Sequence, residues 1–148
     1  MNKAILTAAL LLFSSTVNAA AQKATKITLT FNTTSDDKDW NTEMRASFVC
    51  NGLVVAQLNC CNQNHDMDHW DNNSTTSRDI LDPQPFAKGS LAGCTYILGI
   101  VAVGNDTWAV IPTVDVYYDD GSHTTQTFNQ TVLTSSSSNL YSKSFPLQ

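Results

Sequence analysis

The sequence predicts an all-β protein, an antiparallel β-sandwich of seven or eight strands, and three observations carry that prediction. Helical periodicity is absent beyond residue 19. Two-residue alternation recurs instead: Ile27, Leu29 and Phe31 oppose Lys26, Thr28 and Thr30, and Met44, Ala46, Phe48 and Cys50 form a second apolar row. Turn signals punctuate these runs, most clearly Asn51-Gly52 and Asp119-Asp120-Gly121-Ser122. A strand that alternates in this way buries one face only, so several of them require two sheets laid face to face.

The chain opens with the three parts of a secretory signal. Lys3 supplies the positive charge, Ala4 to Phe13 is apolar, and Ser14 to Ala19 is short and small, with Val17-Asn18-Ala19 fitting the small-x-small cleavage rule. A membrane-spanning helix needs about 20 apolar residues, roughly twice this run. The expected organisation is therefore a signal at 1–19 and a single β-sandwich domain at 20–148, in a secreted or periplasmic protein without a transmembrane segment. The mature chain carries 7 basic against 13 acidic residues, a net charge of −6. Nucleic acid, which is bound through Lys and Arg on phosphates, is not an expected partner. A monomer is expected.

In chain order, Ile27–Phe31 and Met44–Cys50 are strands, and Asn51-Gly52 turns the second into a third at Leu53–Leu58. A weaker strand covers Thr75–Leu81. Tyr96–Val103 is nearly continuous in apolar residues, which suits a central strand covered on both faces. Trp108–Tyr118 follows, with Pro112 marking an edge or a bulge within it. His123–Phe128 and Thr131–Thr134 come next, and the tail Leu140–Gln148 adds an edge. If every strand reverses direction, the loops 33–42, 60–74 and 104–107 gather at one end of the sandwich. The turns at 51–52, 83–93 and 119–122 gather at the other.

That first end collects seven of the thirteen acidic residues: Asp36, Asp37, Asp39, Asp66, Asp68, Asp71 and Asp106. Crowded carboxylates repel one another unless a cation joins them. Calcium takes about six to eight oxygens of the kind that Asp, Asn and loop carbonyls offer. The expected site is calcium held by Asp36, Asp37, Asp39, Asp71 and Asp106, although Asp and Asn are also ordinary solvated turn residues. Trp40 and Trp70 sit on the same loops as expected ligand contacts, unless they fold back as a lid on the core. Trp108, entering a strand, is expected in the core.

The stretch Thr33-Thr34-Ser35-Asp36-Asp37-Lys38-Asp39-Trp40-Asn41-Thr42, and Gly104-Asn105-Asp106-Thr107-Trp108 leading into Val114-Asp115-Val116, resemble the PLAT domains of lipoxygenases and lipases. They are more similar still to small secreted bacterial β-sandwich proteins with the same two acidic loops. The likeness runs from about Lys26 to Ser122. It implies a C2-like sandwich that binds calcium and then lipid or protein through its loops, without catalysis; a glycan is a further expected ligand of the same end. Asp36, Asp37, Asp39 and Asp106 lie within the matching motifs, whereas Asp71 comes from the topology.

Four cysteines in an oxidising compartment form disulfides by default. With the Asn51-Gly52 hairpin in place, Cys50 lies at the opposite end from Cys60 and Cys61, roughly 20 Å away along a strand. A disulfide spans less than about 7 Å between Cα atoms. The expected pair is Cys50–Cys94, leaving Cys60 and Cys61 as a vicinal disulfide or as two thiols.

His65 and His69, with Asp66 and Asp68, are a weaker candidate for zinc or copper, in a stretch that reads as a solvated loop. No serine elbow or nucleophile-base pair is legible, so no enzyme is expected. A small hydrolase using the same carboxylates, or an adhesive surface protein, are the alternatives. Asn32, Asn72, Asn73, Asn105 and Asn129 fit the N-glycosylation pattern, which matters only in a eukaryotic secretory route.

Overall fold

The computed structural model describes residues 21–60, 69–102 and 104–134, together with the backbone of 141–144. Two antiparallel sheets pack face to face. One has the order β4-β1-β6-β7, with β8 also on β6, where β1 is Ala24–Thr33, β4 Thr75–Leu81, β6 Thr107–Tyr118, β7 His123–Thr127 and β8 Thr131–Thr134. The other has the order β3-β2-β5-β9, where β2 is Glu43–Cys50, β3 Leu53–Cys60, β5 Cys94–Val101 and β9 Tyr141–Ser144. The alternating rows read from the sequence face each other across one core: Ile27, Leu29 and Phe31 from β1, Met44, Ala46 and Phe48 from β2, Tyr96 and Leu98 from β5, and Val114 and Val116 from β6. The all-β sandwich is as the sequence predicts, with nine strands among the described residues rather than seven or eight.

The break between β7 and β8 has a local cause in Pro112. The Pro112 carbonyl accepts the Phe128 amide at 2.9 Å on the outer side of β6. A strand residue's own N–H points to the same side as its carbonyl, so Pro112 places its missing donor where the outer partner breaks. The outer partner of β6 divides there into the two strands that the sequence predicts, β7, paired to Thr113–Tyr117, and β8, paired to Thr107–Val110. The tail supplies β9, which pairs with Thr95–Leu98 of β5.

Asn51 and Gly52 both have positive φ, 52° and 80°, the type I′ geometry that matches strand twist. One irregularity follows the hairpin. Phe48 faces Ala56 while Val49 faces Val54, leaving Val55 as a bulge. The bulge shifts the alternation, so Val55 and Ala56 are both buried while Leu53 and Val54 stand in solvent. The Val55 carbonyl, left outside the ladder, accepts the Gln84 amide at 2.6 Å.

Pairings give strand directions that reverse from β1 through β7, so the loops sort as the sequence implies. The N-terminal Lys23, the Asn51-Gly52 turn, residues 82–93 and the Asp119–Ser122 turn occupy one end. The segments 34–42, 69–74 and 104–106 occupy the other, called here the loop end. Cys50 and Cys94 are register partners on β2 and β5 and form a disulfide with Cα atoms 4.0 Å apart. Cys60 is also disulfide-bonded, while Cys61 lies outside the described residues. No helix among the described residues is long and apolar enough to cross a membrane.

Candidate cation site at the loop end

Two loop segments are tied to each other by backbone bonds, and one of them also to β6. Thr34 and Asp36 clasp Ala109 of β6: the Thr34 amide donates to the Ala109 carbonyl at 2.8 Å, and the Ala109 amide donates to the Asp36 carbonyl at 3.1 Å. The segment 69–74 runs back alongside, with the Asn73 amide on the Thr34 carbonyl at 3.3 Å and the Thr33 amide on the Ser74 carbonyl at 2.9 Å. Between them lies a single antiparallel bridge, Lys38 with Trp70, made in both directions at 3.2 and 3.1 Å.

That bridge decides which side chains meet. In extended chain successive side chains point to opposite faces. Lys38 and Trp70 point inward, and their neighbours Asp37, Asp39, His69 and Asp71 point out on one face. The His69 Nε2 lies 2.5 Å from Asp37 Oδ2, and its Nδ1 lies 3.3 Å from Asp71 Oδ1. Ligand atoms of Asp37, Asp39 and His69 all lie within 4.8 Å of one another, and Asp71 is 80% exposed beside them. The hydrogen bond from His69 holds the Asp37 carboxyl below its usual range. The same bond, reinforced by the charges of Asp71, Asp37 and Asp39, raises the imidazole above its own.

The inward side is organised around Lys38, which is fully buried. Its Nζ donates to the Asp39 carbonyl at 3.0 Å and stands 5.1 Å from the centre of the Trp70 ring. Burial pushes its pKa down to about 8, against the opposing pull of Asp106 and then Asp39. Asp106 is itself buried; it accepts the Asp39 amide at 3.3 Å and the Thr42 hydroxyl. The Thr42 amide in turn closes a tight turn on the Asp39 carbonyl at 3.1 Å, which leaves Trp40 projecting at the turn's tip, half exposed.

The five carboxylates expected to share one ion therefore occupy three environments. Asp37 and Asp39 converge with His69 on the outer face, and Asp71 reaches that group through its 3.3 Å contact with the His69 ring. Asp106 is turned inward as an acceptor for Asp39 and Thr42, and Asp36 falls outside the group of converging ligand atoms. Trp40 stands at the surface as expected. Trp70 does not: only 3% exposed, it stacks on Phe31 at 5.3 Å and meets Trp108 edge-on at 5.1 Å. Its ring is the lid of the core, placed there by the inward phase of the bridge. Trp108 is in the core and donates its indole N–H to the Thr33 hydroxyl at 3.0 Å.

His69 and Lys38 are the residues of this arrangement that the calcium reading left out. Both have a signal in the sequence, since each lies within two residues of a predicted ligand, Lys38 between Asp37 and Asp39 and His69 two residues before Asp71. His65, Asp66 and Asp68 lie outside the described residues. His123 stacks on Tyr117 at the far end of the molecule, 5.6 Å between ring centres. The chain matches no known protein family and no curated protein.

Proposed function

We propose that the protein is a secreted, non-catalytic binding module that acts through its loop end, where Asp37, Asp39 and Asp71 take up a calcium ion. The ion and the projecting Trp40 ring then meet a lipid, protein or glycan surface together. The observation that supports this reading is the convergence of Asp37, Asp39 and His69 ligand atoms within 4.8 Å, beside a half-exposed tryptophan. A cation bound there relieves the mutual repulsion of the carboxylates and offers open coordination positions to an anionic group on a partner. The indole ring suits the boundary between water and an apolar phase.

The imidazole in the donor set favours a second reading, in which a borderline dication of the zinc class replaces calcium. Ring nitrogen is a good ligand for zinc and a poor one for calcium. Thermal melting with either ion, in the wild type and in Asp37→Asn and His69→Ala variants, tests both readings. Any ion that binds the folded state raises the midpoint. Calcium at the carboxylates predicts a shift abolished by Asp37→Asn and retained by His69→Ala, whereas zinc predicts that both variants lose it. A midpoint unmoved by millimolar calcium and by micromolar zinc refutes the cation site. Liposome and glycan binding with and without chelator then identifies the surface recognised.

A further inference from the structure

The inner half of the loop end contains a charge that the outer site does not use. Lysine is almost never fully buried unless it is paired, and removing an ammonium group from water costs several kcal/mol that only nearby acceptors and charges offset. Lys38 is fully buried all the same. It is held against the Asp39 carbonyl, over the Trp70 ring, and within the fields of Asp106 and Asp39. Asp106 has the complementary problem, as a buried carboxylate that takes hydrogen bonds from Thr42 and Asp39. These two residues connect the segments 36–42, 69–71 and 104–106 at the loop end.

We propose that the Lys38 ammonium is the resident cation of the loop end: it does the gathering that a metal ion would otherwise do between the Asp39 and Asp106 loops, and it sets how strongly the outer face attracts an added cation. This inference rests on the loop-end reading above and deepens it. Asp39 is the shared element. Its backbone faces Lys38 and Asp106, while its carboxylate faces the outer group with Asp37 and His69. A positive charge on the inner side weakens a dication on the outer side, and removing that charge strengthens it.

The test is Lys38→Met, which keeps the unbranched side chain to within one atom and removes the charge, measured by calorimetric calcium titration and by thermal melting. The wild type should fold without divalent cations. Lys38→Met should melt lower in chelator, recover with calcium, and bind calcium about tenfold or more tightly than the wild type. Adding Asp106→Asn to Lys38→Met should remove most of the loss in chelator, since neither charge is then left alone. Equal melting of Lys38→Met and wild type in chelator overturns the proposal. So does a lowered midpoint that neither calcium nor Asp106→Asn restores, because that is a loss of packing alone. Calcium binding by Lys38→Met and not by the wild type supports the resident cation and refutes the calcium module. Equal affinity in the two proteins does the reverse.

Discussion

Asp37 and His69 show how two ordinary surface residues acquire a pH dependence by being placed side by side. Their contact at 2.5 Å lowers the carboxyl and raises the imidazole. A raised histidine contributes stability that is complete below its unfolded value of about 6.5 and is lost as pH rises through its folded value. A lowered aspartate contributes stability that is complete above about 3.9 and is lost as pH falls through its folded value. The pair therefore stabilises most between about pH 4 and 6.5. The difference in melting midpoint between wild type and His69→Ala should be largest in that window and shrink on either side. A difference that is flat from pH 4 to 9 would show that the contact carries no charge coupling. Both side chains are more than a third exposed, so the effect is modest and shrinks with added salt.

Among the elements, the turn 39–42 and the strand β6 assign opposite duties to the two tryptophans they carry. Trp108 fills the centre of the core beside Phe31 and Trp70, and Trp108→Ala should cost about 3–5 kcal/mol in denaturant unfolding. Trp40 projects from the tip of its turn, and Trp40→Ala should change stability by less than about 0.5 kcal/mol. If the proposed function is right, that same variant weakens binding to the recognised surface. A Trp40→Ala protein that is as destabilised as Trp108→Ala would place Trp40 in the core instead. The β2–β3 hairpin shows the limit of pattern reading within an element. Leu53–Leu58 is visibly a strand, yet the bulge at Val55 inverts which of its apolar residues face solvent. A bulge depends on what Phe48 and Gln84 do across the gap, and local alternation carries no trace of that.

Across the whole molecule the two ends are secured by different chemistry. At one end the Cys50–Cys94 disulfide joins β2 to β5 across a sequence separation of 44 residues. At the other, backbone bonds join the segments 34–38 and 69–74, Lys38 is buried between them, and Asp37, Asp39 and Asp71 face outward. Replacing both Cys50 and Cys94 with alanine should cost about 2–4 kcal/mol, chiefly by freeing the unfolded chain. It should leave cation binding at the loop end unchanged, since the two ends lie a strand length apart. Loss of binding in a variant that remains folded would show that the ends are coupled through the sheets.

The sequence by itself determined the sandwich, the order and direction of its main strands, the crowding of acids at one end and the Cys50–Cys94 pair. Alternation, an Asn-Gly turn and strand length are local properties, and together they sort residues to faces and ends without knowledge of any distant contact. The tertiary structure alone decided what the acidic end consists of. A single bridge between Lys38 and Trp70, drawn from loops far apart in the chain, sets the inward or outward phase of six side chains together. Shifting it by one residue would put Asp37 and Asp39 in the core and Lys38 in solvent. Because that register follows from packing rather than from local preference, the buried ammonium, the inward Trp70 and the outward group of Asp37, Asp39, His69 and Asp71 become visible only in the folded chain.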